Sequence, residues 1–176
     1  MNALIRGTAK GYRGILLLDF HTGIGARGEL HLISNRADDV RKGIIGGFFP
    51  EDTVHFHGEK KESYAIFGNF TACITEQLAS EIPVYPVVIE YGTINSETIS
   101  GSFESLRRIR AENQGFHHGF VSETDETDLK RSFRELFFPS SPVWRNGVLS
   151  ETERSLVSAI PRFQEFMKKE YSKNEK

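Results

Sequence analysis

The 176 residues carry 38% apolar and 26% charged side chains, with a formal net charge of −2 at pH 7, a composition that fits one folded domain with its own core. Charges of both signs are interleaved, which excludes the one-sided basic footprint of a nucleic-acid binder and makes Arg107, Arg108 and Arg110 the solvated face of a helix. No apolar run reaches the length of a membrane span, the first residues lack a secretion signal, and Cys73 is the only cysteine; the expectation is a cytoplasmic protein without membrane partner, disulfide or thiolate metal cluster.

Residues 14–20 form a continuous apolar run of strand length, expected to be buried on both faces and ended by Gly23, Gly25 and Gly28. Residues 29–34 alternate polar with apolar and predict a second strand with one face in water. From 35 to 68 the pattern loosens around Gly-Gly, Phe-Phe-Pro and a charged stretch, so a long irregular excursion is expected, of the kind used as a lid or binding segment. Thr71 is placed to cap a helix running to about Ser80. Residues 84–91 (VYPVVIEY) are the strongest β-branched run, with Pro86 tolerated near its start. Ser96 is the expected cap of a helix whose Ile99, Phe103, Leu106 and Ile109 face the sheet, ending near Asn113 to Gly115. Thr127 and Asp128 open another helix, with Leu129, Phe133, Leu136 and Phe137 on one side and Pro139 as its stop. Ser150 and Glu153 form a capping box for the last helix, with Leu149 as staple, which Pro161 should kink or split, and the charged tail 168–176 is expected to fray. Strands alternating with helices predict a single α/β domain over 1–176, with active groups at the carboxyl ends of strands.

Two residues stand at such ends. Asp19 and His21 are two apart, so a strand points them to one face, and a carboxylate beside a histidine fixes its tautomer for metal ligation or acid–base work. A histidine capping a strand end and satisfied by backbone fits the same pattern. Glu90 is the one acid inside the run 84–91, where burial would favour general-base work, unless it simply pairs with an arginine. His55 and His57 have a metal-ligand spacing, with Glu59 as a third donor, but their polar, charged flanks read as surface. Cys73 has no neighbouring base and reads as a small buried apolar residue. A G-x-S-x-G elbow, a P-loop, a G-x-G-x-x-G after a strand and H-E-x-x-H are all missing, which removes most of the case for serine hydrolases, nucleotide binders and thermolysin-type enzymes.

DFHTGIGARGE (19–29) resembles the Asp-hydrophobic-His-Thr-Gly-hydrophobic-Gly stretch of an uncharacterised bacterial family among the carboxypeptidase A-like zinc hydrolases, whose relatives include succinylglutamate desuccinylase and aspartoacylase. VVIEYGT resembles that family's Glu-aromatic-Gly-Thr strand end, and IRAENQGFHHG its Arg-Ala-acid-Asn segment ending in His-His-Gly; FFP and Trp144 also fall in family order. The resemblance implies a mixed, mostly parallel sheet flanked by helices, of zinc-carboxypeptidase type. It implies that His21 is the third zinc ligand, that Glu90 activates the zinc-bound water, that Thr22 lies beside the substrate, and that Arg110, Asn113, His117 and His118 line the cleft. The implied chemistry is amide hydrolysis of a small peptide or N-acyl amino acid at zinc held by two His and one Glu.

The family's other two ligands come from a His-x-x-Glu motif ahead of the His21 strand, whereas the twenty residues before His21 contain neither His nor Glu. The chain therefore resembles the carboxyl-terminal part of such a hydrolase. Weak or absent zinc binding and negligible activity are expected of it alone, together with an exposed apolar sheet edge open to self-association or to a separate amino-terminal fragment. The alternative is a non-catalytic binding or assembly module that keeps the fold without metal. A metal-independent hydrolase built on Asp19 and His21 lacks a nucleophile.

Overall fold

The structure, a computed structural model, describes residues 2–35, 38–50, 54–56 and 69–174. In chain order the elements are α1 (Asn2–Ala9), β1 (Ile15–Gly23), β2 (Leu30–Ser34), α2 (Asp39–Phe48), β3 (Val54–Phe56), α3 (Phe70–Leu78), β4 (Val84–Gly92), α4 (Ile99–His118), α5 (Glu123–Arg134) and α6 (Pro142–Asn174). The strands form one sheet in the order β1-β4-β2-β3, with β2 and β3 parallel and Leu32 opposite Val54. The architecture is the expected mixed α/β with a mostly parallel sheet. Contacts group the chain into two compact units: Met1–Phe20, Leu32–Ile89 and Thr152–Lys176 in the first, His21–His31 and Glu90–Glu151 in the second.

In the first unit the sheet is covered on both faces. Successive side chains of β4 point oppositely, and their neighbours show it. Val84 joins Ala9 of α1, Ile74 and Leu78 of α3 and Ile82 in one cluster, against which Ile5, Ile15 and Leu17 pack. Tyr85 turns the other way into an edge-to-face group with Phe48 of α2 and Phe163 and Phe166 of α6, ring centroids 5.5 to 5.9 Å apart, and burial pushes its phenol pKa up. β4, flanked by β1 and β2, is buried along nearly its whole length, which is why its sequence is apolar on both faces.

Several expectations are corrected. β1 is not buried on both faces: its residues are half-buried or exposed, and it ends the strand order among the described residues. The excursion 35–68 contains α2 and β3, the helix capped by the Asp38 carboxylate accepting from Arg41 N, while His57 and Glu59 lie outside the described residues. α3 is capped by Asn69, which accepts from Ala72 N, rather than by Thr71, which is the buried second residue of the helix. α4 is capped by Thr98, not Ser96, and runs on to His118 before Gly119 breaks it at φ 89°. Its apolar stripe does not face the sheet: Ile99, Phe103 and Leu106 are 80%, 70% and 61% exposed. α5 begins at Glu123, capped by Ser122. α6 begins eight residues before Ser150, with Pro142 at the first helical position, where a missing N–H costs nothing, and continues through Pro161 to Asn174. The charged tail is thus helical to Asn174, and the Tyr171 hydroxyl donates to Arg13 O. Cys73 is half-buried and receives a hydrogen bond from Gln77 Nε2.

Candidate functional site

The second unit gathers the residues around the end of β1. The chain leaves β1 at Gly23 and returns as β2 through a turn closed by Glu29 N donating to Ala26 O at 3.0 Å, with Gly28 at φ 80° in the third position. A positive φ at that place is the signature of a type II turn, which glycine alone enters without strain. Gly28 N donates to Gly92 O and Gly92 N to Glu29 O, at 2.8 and 3.0 Å. Two residues thus face one, a β-bulge with its glycine in the left-handed region. It sets the start of β2 against the end of β4, so the two strands are antiparallel, and counting back from Glu29 opposite Gly92 places His31 opposite Glu90.

Opposite residues of an antiparallel pair share a sheet face. Glu90 is 6% exposed, and its Oε1 accepts the Ile24 N–H at 2.9 Å. His31 is half-buried beneath the same loop. A Cβ on Gly25, at φ 104°, would overlap its ring, and its buried Nε2 has no hydrogen-bond partner among the described residues. By strand alternation from Ile15 and Leu17, which pack in one cluster with Val84, Asp19 and His21 fall on the face that also carries Glu90. Asp19 is half-buried and His21 exposed.

The loop is tied down residue by residue. Gly25 N donates to Ser96 Oγ at 3.0 Å and Ser96 Oγ to Gly23 O at 3.2 Å, so Ser96 braces the glycine turn rather than capping a helix. Arg27 N donates to Asn95 Oδ1 at 2.7 Å, and its guanidinium to Thr93 O at 2.8 Å. Thr93, fully buried, places its hydroxyl 2.6 Å from Leu136 O and 3.2 Å from Gly23 O. The indole N–H of Trp144 donates to Gly92 O at 2.8 Å. The Thr22 hydroxyl donates to Phe137 O, which ties the strand end to the segment after α5.

The residues inferred from the resemblance are therefore not all brought together. His21, Thr22 and Glu90 stand at the ends of β1 and β4, neighbours in the sheet. Arg110, Asn113, His117 and His118 are exposed along the carboxyl half of α4, and His117 lies edge-on to Phe116, centroids 5.0 Å apart. In the basic cluster, Arg107 and Arg108 both hold Glu104, lowering its pKa to about 2. His55 is exposed on β3. Sequence reasoning missed His31, which is visible only once the Gly28 bulge fixes the register, and the bracing roles of Ser96, Asn95 and Arg27.

No group of three or more His, Cys, Asp or Glu among the described residues is placed to hold a metal ion, so these residues do not by themselves form the three-ligand set of a catalytic zinc. Likewise no described helix is long and apolar enough to cross a membrane.

The protein is thus of the α/β class, with a glycine loop and a buried carboxylate at adjacent strand ends. Over residues 1–151 it matches the family described as protein of unknown function (DUF2817), and it belongs to that family. Neither the curated proteins nor the solved structures provide a match.

Proposed function

We propose that this chain contributes His21 and Glu90 to a metal-dependent amide hydrolase of zinc-carboxypeptidase type, acting on a small peptide or N-acyl amino acid. The observation that carries the reading is the pairing of a buried Glu90, held by Ile24 N–H, with an exposed His21 at the end of the neighbouring strand. A carboxylate fixed in a poorly solvated place and backed by a main-chain donor is suited to take a proton from an attacking water and hand it to a leaving amine. His21, with Asp19 two residues behind it, is the candidate ligand. Among the described residues, the share of the chemistry is one ligand and the proton-moving carboxylate.

The test is a complex reconstituted from this chain and a polypeptide bearing a His-x-x-Glu pair, assayed with zinc on dipeptides and N-acyl amino acids. Glu90→Gln should lower turnover by about 10²–10⁴-fold with zinc content unchanged, and His21→Ala should lower zinc content itself. Full turnover by Glu90→Gln overturns the reading. A second reading, an assembly module without catalysis, draws its support from the exposed Ile99, Phe103 and Leu106 on α4. It predicts no turnover in that complex while a partner is still retained.

A further inference from the structure

The hydrolase reading leaves His31 of β2 without a task, although the fold keeps room for its ring. Gly25, buried and held by its N–H on Ser96 Oγ at 3.0 Å, lies directly against the imidazole: a Cβ there would come within 2.2 Å of Nε2 and 2.6 Å of Cδ2. Any side chain at that position would push the ring aside. The enclosure gives the ring no bond in return, since its buried Nε2 meets no hydrogen-bond partner among the described residues. A buried ring nitrogen left unpaired works against stability, and a leucine would fill the same space without that penalty. Departures of this kind from what packing alone selects gather at functional sites.

We infer that His31 is a positioning residue for Glu90, its Nε2–H donating to the carboxylate in the reacting complex; the inference rests on the hydrolase reading of Glu90. The two residues face each other across the antiparallel pair set by the Gly28 bulge. Opposed residues of such a pair hold their Cβ atoms about 4.5–5.5 Å apart, a gap that an imidazole and a carboxylate span. Three successive loop residues reach from one group to the other: a Cβ on Gly23 would lie 3.8 Å from Glu90 Oε1, Ile24 N–H donates to that oxygen at 2.9 Å, and Gly25 covers His31 Nε2. All of these residues belong to the second compact unit. Ile24 N–H fixes one carboxylate oxygen, and a second donor from β2 fixes the orientation of the whole group. Hydrogen bonds at such sites are often long before substrate binds and tighten in the reacting complex; the motion required here is a turn of the His31 ring on its own strand. His31 transfers no proton, but holds the carboxylate that does.

The test has two arms. On the full chain alone, nitrogen–proton spectra of the labelled ring at neutral pH should place a proton on His31 Nε2. In the zinc-loaded complex with the His-x-x-Glu polypeptide, assayed on dipeptides and N-acyl amino acids, His31→Leu should lower kcat by about tenfold or more with KM unchanged, while the thermal midpoint of the chain does not fall. His31→Gln, which keeps an N–H at the reach of Nε2, should restore most of the turnover. A purely structural histidine would give the reverse order, because leucine packs well there and glutamine again buries an unpaired amide. Full turnover by His31→Leu in a complex that Glu90→Gln inactivates overturns this inference alone, as does a His31 proton confined to Nδ1. It is also overturned if His31→Leu lowers the midpoint and His31→Gln restores nothing. A wild-type complex without turnover overturns the hydrolase reading, and this inference with it.

Discussion

The main-chain N–H of Ile24 donates to Glu90 Oε1 at 2.9 Å, so the loop that follows β1 hangs on the buried carboxylate at the end of β4. Glu90→Ala leaves that N–H without its acceptor and should cost about 1–3 kcal/mol of stability. Glu90→Gln keeps an oxygen in place and should cost clearly less. Urea unfolding of the two variants checks this, and equal losses would mean that the bond does not organise the loop.

Glycines divide by position. A Cβ on Gly92 would overlap the Ala26 carbonyl, a backbone atom that cannot swing aside, so Gly92→Ala should destabilise by about 1–3 kcal/mol. Gly46 lies within α2, and a Cβ there meets nothing within 4 Å. Gly46→Ala should therefore stabilise by up to about 1 kcal/mol, because alanine is the better helix former. Thermal midpoints moving in opposite directions would bear out the placement of both residues.

Trp144→Phe removes the indole N–H from Gly92 O but leaves that carbonyl paired with Gly28 N. No buried acceptor is orphaned, so the loss should stay near about 1 kcal/mol, read as a shift in denaturation midpoint with an unchanged slope. A much larger loss would place the weight on the packing of the indole rather than on its hydrogen bond.

Glu135 gives the pH dependence a sign. The Ser140 N–H donated to its carboxylate holds the pKa below the ordinary carboxylate value. A group whose folded pKa is depressed contributes stability above its unfolded pKa and loses it as pH falls through the folded one. Acid unfolding should therefore steepen below the ordinary glutamate value of about 4.3, and Glu135→Gln should flatten that limb while giving up the contribution at neutral pH. An unchanged acid limb in Glu135→Gln would contradict it.

What the sequence made legible follows the strength of its patterns. β1 and β4 are visible as aliphatic runs because burial and strand propensity act together there, and His21 and Glu90 are visible as the polar residues at their ends. α2 was hidden by Gly43, Gly46 and Gly47, which lower helix propensity although tertiary packing of Ile45 and Phe48 overrides it. Cap positions shifted because Ser, Thr and Asn cluster near each helix start and only the fold chooses among them: Asn69 over Thr71, Thr98 over Ser96. The exposure of Ile99, Phe103 and Leu106 was unreadable, since periodicity gives a helix its stripe but not the surface that meets it. His31 was missed because its place opposite Glu90 depends on one extra residue at the Gly28 bulge, which flips the side-chain parity of the strand.

The placing of His21 as a metal ligand beside Glu90 is tested most directly by adding zinc to the isotope-labelled chain and following the ring signals of its six histidines. The expected result is that the His21 ring responds first, with a Kd weaker than about 1 μM, and that His21→Ala abolishes the response while Glu90→Gln leaves it. Zinc that binds first at His117 and His118, with a response that His21→Ala does not alter, would contradict the assignment.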